Sequence, residues 1–301
     1  MRVGLTGASG LLGRALGAAL ADRGDEVVVL ARPGSAPSAH PTLDWDPARG
    51  AIAPEAARRL GALDAVVNLA GAGIGERRWS LARRREIRDS RVSATRLLAE
   101  FLAREGARAH LVSASAVGYY GSRADEVLDE ASGPGEGFLA DVCVAWEDAA
   151  QGYAVAGGDV AVVRTGIVLD ARGGALARQL PLFRLGLGGR LGPGTQWVSP
   201  ISLRDHVRAT LFALDHRLTG ALNLVAPSPA TNGELTRALA RALGRPGLVT
   251  APAFALRLAL GRQMADELLL SSQRAVPARL VAAGFAFEHP ALDAVVRAAL
   301  D

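Results

Sequence analysis

Lysine is absent from this chain, so all 34 of its basic residues are arginine. An arginine guanidinium keeps its proton in proteins, whereas a lysine amine is able to lose it and act as a nucleophile. Schiff-base chemistry needs a neutral lysine amine, and the composition therefore excludes it. A mechanism in which a lysine lowers the pKa of a catalytic tyrosine is excluded for the same reason.

Cysteine occurs once, as Cys143, so no disulfide can form within the chain. This usage is typical of a reducing compartment. Val142 and Val144 flank the thiol on a predicted helix, and no histidine lies near it in sequence, which favours an inert packing residue. The histidines also lack the spacing of metal ligands, and we expect no metal site. They are His40, His110, His206, His216 and His289.

Long hydrophobic runs and a large charge excess are absent as well. No stretch reaches the roughly 18 apolar residues of a membrane span, and the N-terminus lacks the basic, apolar and small-residue order of a signal peptide. The formal net charge is only +4, which does not imply nucleic-acid binding. We therefore expect a cytoplasmic protein that binds neither nucleic acid nor membrane, and a homodimer stays open.

The order of the predicted elements indicates the fold class. Half of the 301 residues are hydrophobic, and strands alternate with helices through the first half of the chain. This alternation predicts an α/β fold with a Rossmann-type, doubly wound parallel sheet. The predicted strands after the first are 26–31, 42–46, 63–70, 110–114 and 159–164, and the two clearest helices span about 81–104 and 137–152.

The composition changes in the second half. Residues 173–194 are rich in glycine, leucine and arginine and are predicted to form a loop region. We expect residues 1–245 to form the Rossmann-type domain, including substrate-side insertions. Residues 246–301 are expected to form a small, mainly helical C-terminal domain, in which prolines separate short helices.

A glycine trio follows the first strand, at positions 7, 10 and 13. Gly7 permits a tight turn, Gly10 lets a pyrophosphate come close, and Gly13 lets the next helix pack on the sheet. The amides at the start of that helix then point at the anion. We assign the loop to a dinucleotide cofactor, with contacts from Gly7, Ser9, Gly10, Leu11, Leu12 and Gly13.

The residues after the second and third strands bear on the cofactor type. A free ribose 2′-hydroxyl is usually held by a carboxylate after the second strand, whereas a 2′-phosphate needs a cation. The chain has Arg32 there and no carboxylate, which favours NADP(H). Asp46 follows the third strand, where it either accepts from the adenine amino group or serves as a turn residue.

Small residues end the fourth predicted strand. Leu69, Ala70 and Gly71 allow the backbone to pass closely under the ribose and nicotinamide half of the cofactor, although any tight turn uses similar residues. On the helix that follows, Glu86 and Arg91 are predicted to face the cofactor channel. A solvated helix face is the alternative for these two charges.

Hydroxyl groups end the fifth predicted strand. At the carboxyl end of a central strand they are placed to hydrogen-bond a carbonyl or an alcohol beside a nicotinamide ring. We assign Ser113 to the cofactor and Ser115, Tyr119 and Tyr120 to catalysis. Packing of the two tyrosine rings, with only their hydroxyls in water, is the alternative.

These motifs together resemble the extended short-chain dehydrogenase/reductases, in the atypical NAD-dependent epimerase/dehydratase-like branch with a small C-terminal domain of unknown role. The resemblance covers nearly the whole chain. It makes Ser115 the best match to the family's catalytic serine and adds Val168 to the cofactor contacts. The matching segments are 6–13, 68–71, 113–121, 164–169, 198–206, 223–231 and 280–290.

One departure from this family affects the chemistry. Members place a tyrosine and, four residues later, a lysine on the helix after the fifth strand, and the resemblance puts Leu139 and Cys143 there. Neither side chain is able to replace the pair. Two functions stay open: an NADP(H)-dependent oxidoreductase or epimerase of an unidentified small carbonyl or alcohol, which we favour, and a non-catalytic NADP(H)-binding sensor or interaction module.

Overall fold

The computed structural model describes residues 1–35, 38–105 and 108–301. Its strands are β1 (Arg2–Thr6), β2 (Glu26–Ala31), β3 (Thr42–Asp46), β4 (Ala51–Ile52), β5 (Ala65–Asn68), β6 (His110–Ala116), β7 (Val127–Leu128), β8 (Val160–Thr165), β9 (Ile167–Leu169), β10 (Gly189–Leu191), β11 (Trp197–Val198), β12 (Pro200–Ser202), β13 (Gly220–Leu224), β14 (Ala230–Thr231), β15 (Val249–Ala251) and β16 (Arg274–Ala275).

Helices connect most of these strands, and a short 3₁₀ turn (Val117–Tyr120) follows β6. The helices are α1 (Leu11–Asp22), α2 (Pro54–Leu60), α3 (Leu81–Arg104), α4 (Phe138–Val155), α5 (Gly174–Arg184), α6 (Leu203–Asp215), α7 (Asn232–Ala242), α8 (Ala253–Leu260), α9 (Arg262–Leu268), α10 (Ala278–Ala282) and α11 (Leu292–Leu300).

The central sheet has eight strands in the order β13-β8-β6-β5-β1-β2-β3-β4. All neighbours pair in parallel except β3 and β4. The chain builds outward from β1 in one direction through β2 and β3, and then in the other through β5, β6, β8 and β13. The carboxyl ends of β1 and β5 therefore form the switch point at which open α/β sheets bind ligands.

Alternate residues of the central strands pack against opposite helical layers, as the pleat of a strand requires. Val67 of β5 belongs to a buried cluster that includes residues of α1 and α6, whereas Val66 belongs to one with residues of α3 and α4. Both faces of the sheet are covered, and the predicted Rossmann-type fold is confirmed.

The prediction of a loop over residues 173–194 was wrong, because α5 and β10 lie within it. Leu176, Leu180 and Phe183 are buried and recur at helical spacing. The glycines on both sides of this apolar stripe, at 173–174 and 186–189, obscured it in the sequence.

The C-terminal region is mainly helical, as expected, but it also contains β15 and β16, which pair with β10 and β7 of the preceding region. The boundary at residue 245 stays a prediction. Within the described ranges, no helix is long and apolar enough to cross a bilayer. Residues 1–35, 38–105 and 108–301 also contain no group of three or more His, Cys, Asp or Glu side chains placed to hold a metal ion.

Candidate functional site

The glycine trio forms a tight loop between β1 and α1. Gly7 has a φ of +67°, and an ideal Cβ built there would lie 2.5 Å from the Leu69 carbonyl oxygen. A Cβ on Gly13 would lie 2.2 Å from the Gly7 carbonyl oxygen. Both positions are therefore restricted to glycine by backbone contacts, which are the turn and the helix packing that the sequence predicts.

Gly10 differs from the other two glycines because its Cβ position is nearly open. The single atom within 4 Å is the Gly7 carbonyl oxygen, at 3.3 Å. Gly10 is the N-cap of α1, and no side chain caps the first-turn amides. A helix N-terminus with free amides and no Cβ above it fits an anionic group such as a pyrophosphate.

A buried hydrogen-bond network fixes the carboxyl ends of β1 and β5. The Thr6 hydroxyl donates to Asn68 Oδ1 at 2.8 Å and accepts from the backbone amides of Leu69 and Ala70, both at 3.0 Å. The Asn68 amide donates to Thr95 Oγ1 on α3 at 2.7 Å. The amides of Leu69 and Ala70 are thus engaged by the protein, and these residues shape the path of the backbone.

Arg91 lies beside Gly71, immediately after this network. A Cβ on Gly71 would lie 3.1 Å from the Arg91 guanidinium carbon, which stacks 5.1 Å from the centre of the Trp146 ring. Arg91 Nη1 donates to the Ile87 carbonyl at 2.9 Å, and among the described residues the guanidinium has no carboxylate partner. Burial lowers the pKa of Arg91 from its ordinary value. The site thus contains a desolvated cation with unused donors.

Glu86 has other partners than those the sequence predicts. Its carboxylate accepts from Arg77 at 2.7 Å and pairs with Arg83 at 2.8 Å. The hydrogen bond from Arg83 lowers the pKa of Glu86. The carboxylate is about half exposed, so the structure supports the solvated helix face over a cofactor contact.

Arg32 directly follows β2, which neighbours β1 at the edge of the cofactor site. Its side chain is exposed, and its guanidinium has no hydrogen bond or ion pair within the described part of the chain. Asp46 caps a turn instead: its Oδ1 accepts from the amides of Ala48 at 3.1 Å and Arg49 at 3.4 Å. The structure thus shows Asp46 in the turn role of the two predicted alternatives.

Ser115 is part of a buried network with Glu147 and Arg164. Its hydroxyl donates to Glu147 Oε1 at 2.7 Å. Arg164 donates to both oxygens of the same carboxylate, through Nε at 2.9 Å and Nη2 at 2.8 Å. Although burial alone lowers the pKa of Arg164, its hydrogen bonds to Glu147 raise it above the ordinary value. A carboxylate only accepts, so the Ser115 proton points at Glu147 and the serine oxygen is left as an acceptor.

The two tyrosines of the 3₁₀ turn have different environments. Tyr120 is fully buried, and its hydroxyl donates to Asn223 Oδ1 at 2.8 Å and lies 3.1 Å from Arg164 Nη1. Burial raises the pKa of Tyr120. Its assignment to catalysis is therefore corrected, because the hydroxyl is sealed inside the protein.

Tyr119 is only partly buried. The Arg164 guanidinium lies 3.5 Å from the centre of its ring, and its hydroxyl has no hydrogen-bond partner in the described residues. Of the two tyrosines, Tyr119 is the one whose hydroxyl is free to meet a ligand.

Two further side chains of the candidate site, Cys143 on α4 and Ser113 on β6, are buried. Burial raises the pKa of Cys143 to about 11, so the thiol is neutral. This agrees with the inert packing role expected from the sequence. The Ser113 hydroxyl is also buried, without a hydrogen-bond partner in the described residues. Leu139 packs against the 3₁₀ turn, with its Cβ 3.6 Å from an ideal Cβ on Gly118.

The helix α5 closes the site on one side. A Cβ on Gly173 would lie 3.2 Å from Leu11 of the phosphate loop, and one on Gly174 would lie 3.6 Å from the Val168 carbonyl oxygen. Val168 itself packs against the same buried cluster as Leu11 and Leu12. Further along α5, Arg178 donates to the carbonyl of Gly75, in the loop after β5.

Five residues that act through distant partners are not predicted by local sequence patterns, namely Thr6, Glu147, Arg164, Arg178 and Asn223. A polar residue within a buried strand was the available signal for Thr6, Arg164 and Asn223, because such groups need partners.

Comparisons with known proteins agree with this geometry. The sequence model described as the NAD dependent epimerase/dehydratase family matches residues 3–224, which include the glycine loop, Ser115 and Arg164. This chain belongs to that family. A second model, a domain of unknown function (DUF1731), matches residues 251–299. The resemblance drawn from the sequence motifs is confirmed.

Relatives cover almost the full length of the chain. Epimerase family protein Mb2239 of Mycobacterium bovis is 46% identical over 288 residues, which are 95% of this chain and 93% of the relative. The human epimerase family protein SDR39U1 is 36% identical and is covered to 99%, as is this chain. The crystal structure of human SDR39U1 (isoform 2) with NADPH superposes with a TM-score of 0.86, at 32% identity and 99% coverage of both chains.

Proposed function

We propose that this protein binds NADP(H) and uses it in an oxidoreductase or epimerase reaction on a small alcohol or carbonyl compound. The observation that carries the proposal is the loop between β1 and α1. Gly7 and Gly13 are restricted by backbone contacts, whereas Gly10 leaves open space above uncapped amides. Open space above uncapped amides suits the binding of an anionic group, and it is not needed for the packing of the loop.

The preference for NADP(H) has two supports. Arg32 is an exposed guanidinium without a protein partner at the end of β2, where the 2′-phosphate of a Rossmann-bound dinucleotide lies. The human relative with the similar fold was crystallised with NADPH. Arg91, with unused donors beside Gly71, is placed to bind the other half of the cofactor.

The nicotinamide supplies hydride transfer when it is bound, and the protein has to handle the accompanying proton. The Ser115 oxygen is an acceptor, since its proton points at Glu147, and it suits the hydroxyl of an alcohol substrate. Tyr119 has the free hydroxyl of this site and is the proposed proton donor and acceptor. The Arg164 guanidinium lies 3.5 Å from the centre of its ring and places a positive charge beside it.

A second candidate function, NADP(H) binding without turnover, has its own support. The two positions that carry the family's tyrosine and lysine hold Leu139 and a neutral Cys143, whose pKa of about 11 excludes a thiolate at neutral pH. In that case Ser115, Glu147 and Arg164 serve only to hold β6, α4 and β8 together.

Two measurements separate these functions. We expect NADPH to bind in calorimetry and to be consumed with some members of a panel of small aldehydes and ketones. Tyr119→Phe is expected to retain NADPH affinity and lose turnover, and the fold is expected to stay intact because the hydroxyl that is removed has no hydrogen-bond partner in the described residues. NADPH binding without consumption of any panel member would support the sensor, and absence of NADPH binding would refute both functions. The homodimer and the cytoplasmic location stay predictions.

A further inference from the structure

Charge is distributed unevenly along this chain. Residues 171–204 and 235–265 contain ten arginines and not one aspartate or glutamate. The other residues contain 24 arginines against 30 acidic residues, so the overall charge of +4 conceals two strongly basic segments. A molecule or surface that contacts these segments encounters a positive electrostatic potential. The composition of the whole chain does not indicate it.

The fold brings the two segments together. β10, in the first segment, pairs in parallel with β15, in the second, and Arg190 Nε donates to Thr250 Oγ1 at 3.0 Å. One turn earlier, an ideal Cβ on Gly186 would lie 3.6 Å from the Pro246 ring. The end of α5, the β10–β15 pair and the start of α8 therefore form one continuous stretch of surface.

Exposed apolar side chains concentrate on this stretch. Among the described residues twelve large apolar side chains are exposed, and seven of them lie here. Leu185, Leu248, Phe254 and Leu258 are each more than 70% exposed, and α8 has no buried residue at all. We call this surface the arginine–leucine face. It comprises Leu182, Leu185, Leu187, Leu248, Val249, Phe254 and Leu258, with Arg184, Arg190 and Arg245.

The three arginines of the face are exposed, and none has a carboxylate partner in the described residues. Other arginines of the same segments are neutralised: Arg257 pairs with Asp266 at 2.7 Å, and Arg241 pairs with Asp293 at 2.8 Å. Of the five arginines in these segments that form no ion pair in the described residues, three thus lie among the exposed leucines, and Arg178 and Arg237 are the other two.

We propose that the arginine–leucine face docks peripherally on an anionic lipid surface. Apolar side chains that project beside unpaired cations enter the headgroup boundary while the guanidinium groups meet lipid phosphates. A second copy of this chain is a poor occupant, because two such faces would bring like charges together. The expectation of no membrane partner was based on the lack of a spanning segment. That criterion does not detect a peripheral face, which forms only when β10 pairs with β15 in the folded protein.

The test is co-sedimentation of the purified full chain with vesicles. We expect binding to phosphatidylcholine vesicles that contain phosphatidylglycerol, little binding to pure phosphatidylcholine, and weakening as salt rises. Arg184→Gln/Arg245→Gln is expected to reduce the partition coefficient by about 25-fold, at about fivefold for each charge. Leu185→Ser/Leu248→Ser is expected to reduce it by about tenfold or more.

A matched control comes from the outer surface of α3 and α4, which contributes no residue to the arginine–leucine face. Arg96→Gln/Val155→Ser removes an exposed arginine of α3 and a valine that is 88% exposed on α4. It is expected to bind vesicles as the unmodified chain does, and all variants are expected to keep the melting temperature. The proposal would be overturned if the control variant lost as much vesicle binding as the variants of the arginine–leucine face. Binding to poly-glutamate but not to anionic vesicles would also overturn it and would assign the face to an acidic protein.

Discussion

The phosphate loop offers a substitution that separates cofactor binding from folding. Valine at Gly10 places a Cβ whose nearest neighbour is the Gly7 carbonyl oxygen, 3.3 Å away. The φ of −76° and ψ of 170° at Gly10 are accessible to any residue. Because valine is a poor N-cap, we expect a loss of about 1 kcal/mol in unfolding free energy. The fold itself should persist.

The effect of Gly10→Val on binding is expected to be much larger. Its Cγ atoms occupy the space in front of the first-turn amides of α1, where a pyrophosphate accepts charge-assisted hydrogen bonds. The loss of two such bonds, at about 1.5–3 kcal/mol each, removes about 3 kcal/mol or more. This corresponds to an increase of about 100-fold or more in Kd.

Calorimetric titration with NADPH and thermal unfolding check the two effects separately. Ala18→Val, on the exposed face of the same helix, is the matched control and is expected to retain the NADPH affinity of the unmodified chain. Gly13→Ala is expected to unfold the protein, because its Cβ would lie 2.2 Å from the Gly7 carbonyl oxygen. A Gly10→Val protein that binds NADPH within threefold of the original would refute the assignment of the loop.

Three further outcomes follow from single residues. Arg32→Ala is expected to remove a preference of about ten- to hundredfold for NADPH over NADH, which in the unmodified chain shrinks as salt rises; equal affinities at low salt would contradict it. Cys143→Ala is expected to cost about 1 kcal/mol of stability and to leave any turnover within a few-fold, and a folded but inactive variant would give the thiol a catalytic role. Burial lowers the pKa of His206 from 6.5 to about 4, so the unfolded chain takes up a proton that the folded chain does not. Stability is thus unaffected above about pH 6.5 and falls by about 3 kcal/mol as the pH drops to about 4. Chemical denaturation across this pH range should show a flatter profile for His206→Gln than for the surface control His216→Gln.

The sequence predicted those parts of the fold whose signals are local. The helix α3 spans Leu81–Arg104 as expected, because an apolar stripe follows the N-cap Ser80, whose hydroxyl accepts from the Arg83 amide. The glycine trio was readable for the same reason, since a positive φ at Gly7 is a property of the turn itself. In contrast, the short apolar stripe of α5 was hidden among glycines.

The reactive side of the site was less predictable, because its contacts join residues far apart in the chain. Tyr119 and Tyr120 are adjacent, and nothing local distinguishes them. Their environments differ because of Asn223, which lies on β13 about a hundred residues later. Its side-chain oxygen accepts a hydrogen bond from the Tyr120 hydroxyl. Likewise, the direction of the Ser115 proton depends on Glu147, whose carboxylate is held in position by hydrogen bonds from Arg164.

The pairing of Glu147 with Arg164 gives each of these two side chains a partner beside Ser115. Both side chains are nearly buried, at 12% and 5% exposure, so either charge alone would be costly there. Two hydrogen bonds from one guanidinium satisfy the carboxylate, and Tyr120 engages a further nitrogen of Arg164. The pair therefore orients the serine, because the carboxylate that accepts from Ser115 is itself held by two hydrogen bonds from Arg164. Tyr119, whose hydroxyl lies outside the network, is therefore the side chain that we propose for proton transfer in the proposed reaction.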